Sequence, residues 1–383
     1  MKTAVLLATL AGAGSLAACS SSQGAPASST SPDSAASSGT AASTASCTAK
    51  AAQEVSQLSA PVSLSLPPIG KSLASLDLKG KTVAYVGDTS VAVLEDEYEG
   101  LAAAAQYLGF SVHLYNDGGT IPGSDGAISE AISANSSVII TSSTPLADIE
   151  PEIVKARAAH IPMVSIYETP ATAAANVTYT VSMSGTVAGT NVGWYMLAQD
   201  HCNVNDAAIL TNSATTSVQM ANAISAVFAS ACPATCHLKE IPETITQDQT
   251  SFTTTTVVAA VEADPSINYI SSVGAGDASY IVQALKTLGK IGKIGVATNA
   301  GVPFTATAIA QSGSGLSALA DPLAFPLHGW FLADAVLRVL AGQTGTEAIP
   351  QRLVVNSSAS AASPFQPDSS YTSYFEKLWS SGS

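Results

Sequence analysis

Arginine is almost missing from this chain: Arg157, Arg338 and Arg352 are the only three in 383 residues. Charged residues make up 11% and aromatic residues 6%, and 28 acids face 14 bases for a formal net charge of −14. A nucleic-acid surface must neutralise phosphates with a broad basic face, which this composition cannot build. The same imbalance would repel the folded part from an anionic membrane. No apolar run reaches the roughly 18 residues that span a bilayer. The chain also lacks Gly-x-Ser-x-Gly, His-Glu-x-x-His and a P-loop, so no nucleophile elbow, zinc-protease helix or nucleotide cradle is present. No enzymatic activity, catalytic residue, metal or cofactor is expected. What remains is an acidic chain with 46% hydrophobic residues, enough to build real cores, and a length that suits two domains.

The N-terminus reads as an address. Lys2 supplies a minimal positive region, Thr3 to Ser15 form a short apolar stretch, and Leu16-Ala17-Ala18-Cys19 follows. Charge, apolar core and small-residue cleavage site are those of a signal peptide. Cysteine directly after Leu-Ala-Ala resembles the lipobox of bacterial lipoproteins. That resemblance implies a signal over residues 1–18, lipidation of Cys19, and a protein held on the outer face of the cytoplasmic membrane by its lipid alone. Residues 19–46, almost wholly Ser, Ala, Thr, Gly and Pro, are expected to be a flexible tether. Residues 47–78 would hold a short helix and a proline-broken connector.

With Cys19 set aside, Cys47, Cys202, Cys232 and Cys236 remain, an even number in an oxidising compartment. Four cysteines allow three pairings, and the sequence does not choose among them. A zinc site using His201 and His237 is the competing use; disulfides are preferred.

From Lys79 onward short β-branched runs alternate with amphipathic stretches. Strands are expected at Thr82–Val86, Ser111–Tyr115, Ser137–Thr141 and Ile161–Ile166, with helices at Leu94–Leu108, Asp125–Ala134 and Asp148–Ala159. A second series places helices at Val187–Ala198, Val218–Ala231, Thr253–Ala263 and Ala278–Leu288. Its strands are Asp206–Thr211, His237–Ile241, Tyr269–Val273 and Ile294–Thr298. Such alternation predicts an α/β fold with two doubly wound, parallel-sheet lobes.

Three stretches make the reading more specific. The first is Lys81-Thr82-Val83-Ala84-Tyr85-Val86 with Tyr107-Leu108-Gly109-Phe110. The second is Ser137-Val138-Ile139-Ile140 with Ile161-Pro162-Met163-Val164. The third is Leu288-Gly289-Lys290 with Ile294-Gly295-Val296 and the helix from Asp334 to Gly342. Their order and spacing resemble the type I periplasmic solute-binding proteins of ABC transporters, in particular the ribose-binding-like sugar branch. The resemblance implies lobes of 79–185 plus 322–352 and of 186–321 plus 353–383, joined by a three-segment hinge. It also implies ligand capture in the interlobe cleft and delivery to a membrane permease with its cytoplasmic ATPase.

Open α/β sheets bind ligands beyond the carboxyl ends of their strands. That rule selects Asp88, Thr89, Ser90, Ser143, Thr144, Tyr167, Glu168 and Ser184 in the first lobe. In the second it selects Asn212, Thr216, Gln219, Asn222, Asp277, Asn299 and Asp321. Tyr167-Glu168 stands where sugar-binding relatives usually carry Asp-Arg, so a basic fork is missing. Carboxylates without Lys or Arg favour a neutral, polyhydroxylated small molecule, a sugar or polyol, over an anion. The protein is expected to act as a monomer. A lipoprotein that presents its closed form to a membrane receptor as a sensor is the alternative.

Overall fold

The computed structural model describes residues 35–60, 63–167, 177–211, 215–244, 247, 250–272, 274, 276–300, 305, 308–309, 316–321, 325–355 and 371–380. The chain divides into Met1–Ala41, of which the helical residues 35–41 are described, and Ala42–Ser383, which carries everything that follows.

Two sheets of six strands form the framework. The first contains β1 (Thr82–Val86), β2 (Ser111–Tyr115), β3 (Val138–Ser142), β4 (Met163–Ile166), β5 (Tyr179–Ser182) and β11 (Gly345–Ala348). The second contains β6 (Asn205–Thr211), β7 (His237–Glu243), β8 (Tyr269–Ser272), β9 (Gly295–Ala300), β10 (Leu316–Asp321) and β12 (Val354–Val355). Their orders, β2-β1-β3-β4-β5-β11 and β7-β6-β8-β9-β10-β12, are the same doubly wound pattern used twice. Every pairing between named strands is parallel except β10 with β12. The central strands read Val-Ala-Tyr-Val and Val-Ile-Ile because both faces of a parallel sheet are covered.

Helices α1 (Ala35–Leu58), α2 (Ala92–Leu108), α3 (Ile121–Ser133), α4 (Glu150–Ala158) and α5 (Gly185–Gln199) precede α6 (Thr215–Ala231), α7 (Ser251–Ala263), α8 (Asp277–Thr287), α9 (Phe325–Leu340) and α10 (Tyr371–Ser380). Among the described residues no helix is long and apolar enough to cross a membrane. α2 buries Leu94, Leu101, Ala105 and Leu108, and it stops at Gly109, whose φ of 86° suits glycine.

Two helix pairs meet unusually closely. A Cβ on Gly329 of α9 would lie 2.1 Å from the Leu101 nitrogen of α2, and one on Gly100 2.1 Å from the Pro326 carbonyl oxygen. In the other lobe a Cβ on Gly185 of α5 would lie 2.1 Å from the Thr216 oxygen of α6. In each lobe the first helix of the α/β series is therefore seated against the helix that enters from the other lobe.

The crossings set the position of the cleft. β5 ends at Ser182, and α5 begins at Gly185, already packed on the second sheet. β10 ends at Asp321, and α9 begins at Phe325 on the first sheet. The carboxyl edge of each sheet thus lies within a few residues of the opposite lobe. A third crossing joins β11 to β12, and the Ser184 N–H donates to the Gln351 Oε1 of that segment at 3.2 Å.

Three expectations need correction. The stretch expected as a tether is already helical from Ala35, because its alanine-rich sequence favours helix and because α1 packs from Cys47 onward on the second lobe. Of the described residues of the C-terminal segment, assigned to the second lobe, only 353–355 with β12 lie there. α10 packs on the first lobe, where Trp379 stacks on Trp330 with centroids 5.3 Å apart and donates Nε1–H to Asp334 Oδ1 at 2.7 Å. Its aromatic stripe of Tyr371, Phe375 and Trp379 needs a cover, and α9 supplies one. The chain therefore also passes between the lobes from α1 to β1 and from β12 to α10, beyond the three crossings expected.

The four cysteines form two disulfides, Cys47–Cys202 and Cys232–Cys236, with Cα atoms 6.3 and 5.5 Å apart. All four lie in one core cluster with Trp194, Tyr195 and Phe228. The bonding occupies the thiols that the competing zinc site would have used.

Candidate functional site

On the first sheet, the turn after β1 is held by Asp88, whose Oδ1 accepts from the Ser90 N–H at 3.0 Å. Thr89 Oγ1 accepts from Asn116 Nδ2 at 3.4 Å. Asp117 Oδ1 accepts from the Gly119 N–H at 3.0 Å and its Oδ2 from Ser124 Oγ at 2.7 Å, and that hydroxyl meets Thr144 Oγ1 at 3.0 Å. Asp88, Thr89, Ser90 and Thr144 are thus brought to one polar rim. Asn116, Asp117 and Ser124, which the sequence reading omitted, stand with them. The signal was present: Asn116-Asp117-Gly118-Gly119 follows β2 as the other candidates follow their strands.

Ser143 and Tyr167 have φ of 62° and 74°. Asn135, His160 and His201 share that left-handed region but close α3, α4 and α5, where it is common. Ser143 and Tyr167 instead follow β3 and β4, neighbouring strands, at the carboxyl edge. Such strain in non-glycine residues concentrates at binding and catalytic sites.

Tyr167 follows β4 at this edge, but its hydroxyl is taken within the lobe. The hydroxyl turns into its own lobe and donates to Glu97 Oε2. Glu97, fully buried on α2, also accepts from Tyr85 Oη at 2.8 Å. The Tyr167 oxygen lies 3.1 Å from His328 Nδ1. With the Tyr167 proton committed to Glu97, the imidazole carries its hydrogen on Nδ1 and donates it. Burial pushes the Glu97 carboxyl up to about 7, although the hydroxyls of Tyr167 and Tyr85 hold it down. Burial alone lowers the His328 imidazole to about 3, so it is neutral. Tyr167 also packs with Val93 and Phe325 at the first turns of α2 and α9. It therefore presents ring rather than hydroxyl. The Gly100–Gly329 approach is what brings His328 within reach.

On the second lobe Ser184 caps α5, accepting from the Val187 N–H at 3.2 Å. Thr216 and Gln219 are half-buried near the start of α6. Asn222 is exposed about 10 Å along that helix from its first residue, outside the strand-end edge. Glu243, buried at the end of β7, accepts from Thr253 Oγ1 at 2.8 Å. It mirrors Asp117 with Ser124 and was also missed. Asp277 opens α8, buried behind the glycines at 274 and 276. Asn299, next to last in β9, is fully buried, and among the described residues neither its Oδ1 nor its Nδ2 has a hydrogen-bond partner. Asp321 closes β10 beside Ala300 of β9. Glu168, Asn212 and Cys19 lie outside the described residues. Among the described strand-end residues there is no Lys or Arg. Arg352 lies in the third crossing, with Nε buried and without a hydrogen-bond partner among the described residues.

A sequence family described as a periplasmic binding protein domain matches residues 83–344. No curated protein matches the chain. Solved structures that resemble it include an ABC sugar transporter subunit from Rhodobacter sphaeroides, 20% identical over 73% of this chain and 99% of the other, with a TM-score of 0.62. Another is the periplasmic binding protein of the arabinose ABC transporter from Shewanella sp. ANA-3, bound to L-arabinofuranose: 19% identity, 78% and 95% coverage, TM-score 0.62. A third is the 5-methylthioribose transporter solute-binding protein from Thermotoga lettingae: 15% identity, 73% and 88% coverage, TM-score 0.67. These structures share the chain's fold, and by the family match over residues 83–344 the chain belongs to the periplasmic binding proteins.

Proposed function

We propose that this is an exported, lipid-anchored solute-binding protein. It captures a small, neutral, polyhydroxylated molecule between its lobes and delivers it to the permease and ATPase of an ABC importer. It does so as a monomer, without a chemical step.

One observation carries the ligand class: the buried, unpaired amide of Asn299 at a strand carboxyl end. Leaving such a group unmet costs about 1–3 kcal/mol. An amide offers two donors and an acceptor together, which suits hydroxyl groups that both donate and accept. Asp277 adds acceptors after the neighbouring strand β8, and Asp88 adds them after β1 in the other lobe. The sugar-related names of the similar structures agree with this class. The anchor rests on the Cys19 lipobox and the Ser/Ala-rich stretch that follows it.

Thermal unfolding against sugars, polyols, nucleosides, amines and sugar phosphates tests the capture reading. A true ligand at 100 times its Kd adds about 2.7 kcal/mol. Stabilisation by a neutral polyol supports the proposal, and stabilisation by anions alone, through Arg352, overturns it. Cys19→Ala should release the protein from membranes; lipid still attached to that variant would contradict the anchor.

A further inference from the structure

We infer that Gln351, on the crossing between β11 and β12, contacts the captured molecule and sets which of its hydroxyls is recognised. The inference rests on the capture reading and adds to it a residue of the hinge, where the earlier candidates came from strand ends.

The two ends of the crossing fix where Gln351 stands. β5 and β11 run side by side up to Ser182 and Ala348, their last residues. The Ile349 N–H then donates to the Ser182 carbonyl at 2.9 Å, and the Ser184 N–H to Gln351 Oε1 at 3.2 Å. Gln351 therefore lies beyond the carboxyl edge of the first sheet. At the other end β12 is antiparallel to β10, with Val354 opposite Leu319 and Val355 opposite Ala318. The chain thus enters the second sheet from the Asp321 end, which is its carboxyl edge. Gln351 stands beyond both carboxyl edges at once, the region where open α/β sheets take their ligands.

Local geometry aims the side chain. In an extended run alternate residues share a face. Leu353 is buried in the cluster that holds Ala297 and the α5 side chains, and Val354 in the cluster that holds Val296 on the opposite face. Gln351 returns to the α5 face, where the Ser184 contact holds it at the start of that helix. Asn299, two residues after Ala297 in β9, shares this face. Arg352 belongs to the other.

The Ser184 N–H can only donate, so the Gln351 atom that faces it is the carbonyl oxygen, and the orientation of the amide is settled. Its Nε2 is then left buried, with no hydrogen-bond partner among the described residues. A buried donor in that state is costly. Gln351 and Asn299 thus present two unmet amides on one face, two strand spacings apart, roughly 10 Å across the sheet. A hydroxyl of a small neutral molecule held between the lobes meets the Gln351 donor. Selection by strand ends passes over Gln351, because it belongs to neither sheet.

Titration calorimetry with D-ribose, D-glucose and D-galactose and their single-deoxy analogues reads the contact as a cycle between residue and hydroxyl. Against the wild type, one deoxy analogue should bind about 5- to 150-fold more weakly than its parent, because it leaves Nε2 unpaired. Against Gln351→Met that penalty should vanish, while the penalties of the other analogues remain. A hinge residue that only holds the fold would weaken parent and analogues by a common factor. Equal penalties in both proteins at every position therefore overturn the inference and leave capture standing. If none of the sugars binds the wild type, the capture reading fails and the inference fails with it. Should Gln351→Met not fold, Gln351→Ala, which leaves room for water at the Ser184 N–H, runs the same cycle.

Discussion

Replacing Glu97 with Gln tests the buried relay under Tyr167 and has a magnitude that follows from its environment. Burial raises the Glu97 carboxyl from 4.5 to about 7. Below pH 4.5 both folded and unfolded chains hold the proton, and the stability this group contributes is fully present. As pH rises, the unfolded chain releases the proton first, and the contribution is lost as pH passes through about 7. A difference of about 2.5 pH units corresponds to about 3 kcal/mol. Gln resembles the protonated acid and does not titrate. Asp206, fully buried and raised from 3.8 to about 7, acts in the same direction in both proteins, so the informative quantity is their difference. Urea unfolding between pH 4 and 8 should show the wild type losing about 3 kcal/mol more than Glu97→Gln. Parallel stability curves would refute the buried, proton-holding Glu97.

Arg338 is fully buried between Asp334 at 2.6 Å and Glu347 at 3.3 Å. Arg338→Met leaves two buried carboxylates facing each other and should cost about 3–5 kcal/mol, read as a lower urea midpoint. Gly329→Ala drives a methyl into the α2 backbone and should cost at least about 1–3 kcal/mol. A wild-type melting curve for it would contradict the close helix crossing. The native protein should resist alkylation at Cys47, Cys202, Cys232 and Cys236 until reduced. Opening the Cys47–Cys202 link, which closes 155 residues, should cost up to about 5 kcal/mol, and opening the Cys232–Cys236 link about 2 kcal/mol.

The alternating α/β series was legible because its signals are local. β1, β3 and β4 are short β-branched runs, Gly109 ends α2, and Pro162 stands just before β4, where no ladder bond is lost. β5 and β10 were not legible. Tyr179-Thr180-Val181-Ser182 is only four residues long, and Leu316-Ser317-Ala318-Leu319-Ala320-Asp321 holds no β-branched or aromatic residue to mark a strand. The aromatic periodicity of α10 shows a helix but not which lobe it covers. That is decided by Trp330 and Asp334, some 45 residues away in sequence.

The placement of candidate residues was legible where a strand end alone fixes it, as for Asp88, Thr144 and Asn299. It was not where a partner redirects the side chain. Nothing near Tyr167 in sequence reveals that Glu97 and His328 take its hydroxyl, since those contacts span 70 and 161 residues. Ser184 follows the ordinary preference of serine for a helix start.

The most direct test of ligand capture is isothermal titration of whichever neutral sugar or polyol stabilises the wild type, repeated on Asn299→Ala. If the buried amide meets ligand hydroxyls, the substitution should weaken binding by about 1–3 kcal/mol, a factor of roughly 5 to 150 in Kd. It should leave the ligand-free melting point close to that of the wild type. Tight binding of a sugar phosphate or organic acid, with an affinity that Asn299→Ala does not change, would contradict the capture of a neutral polyhydroxylated ligand at this edge.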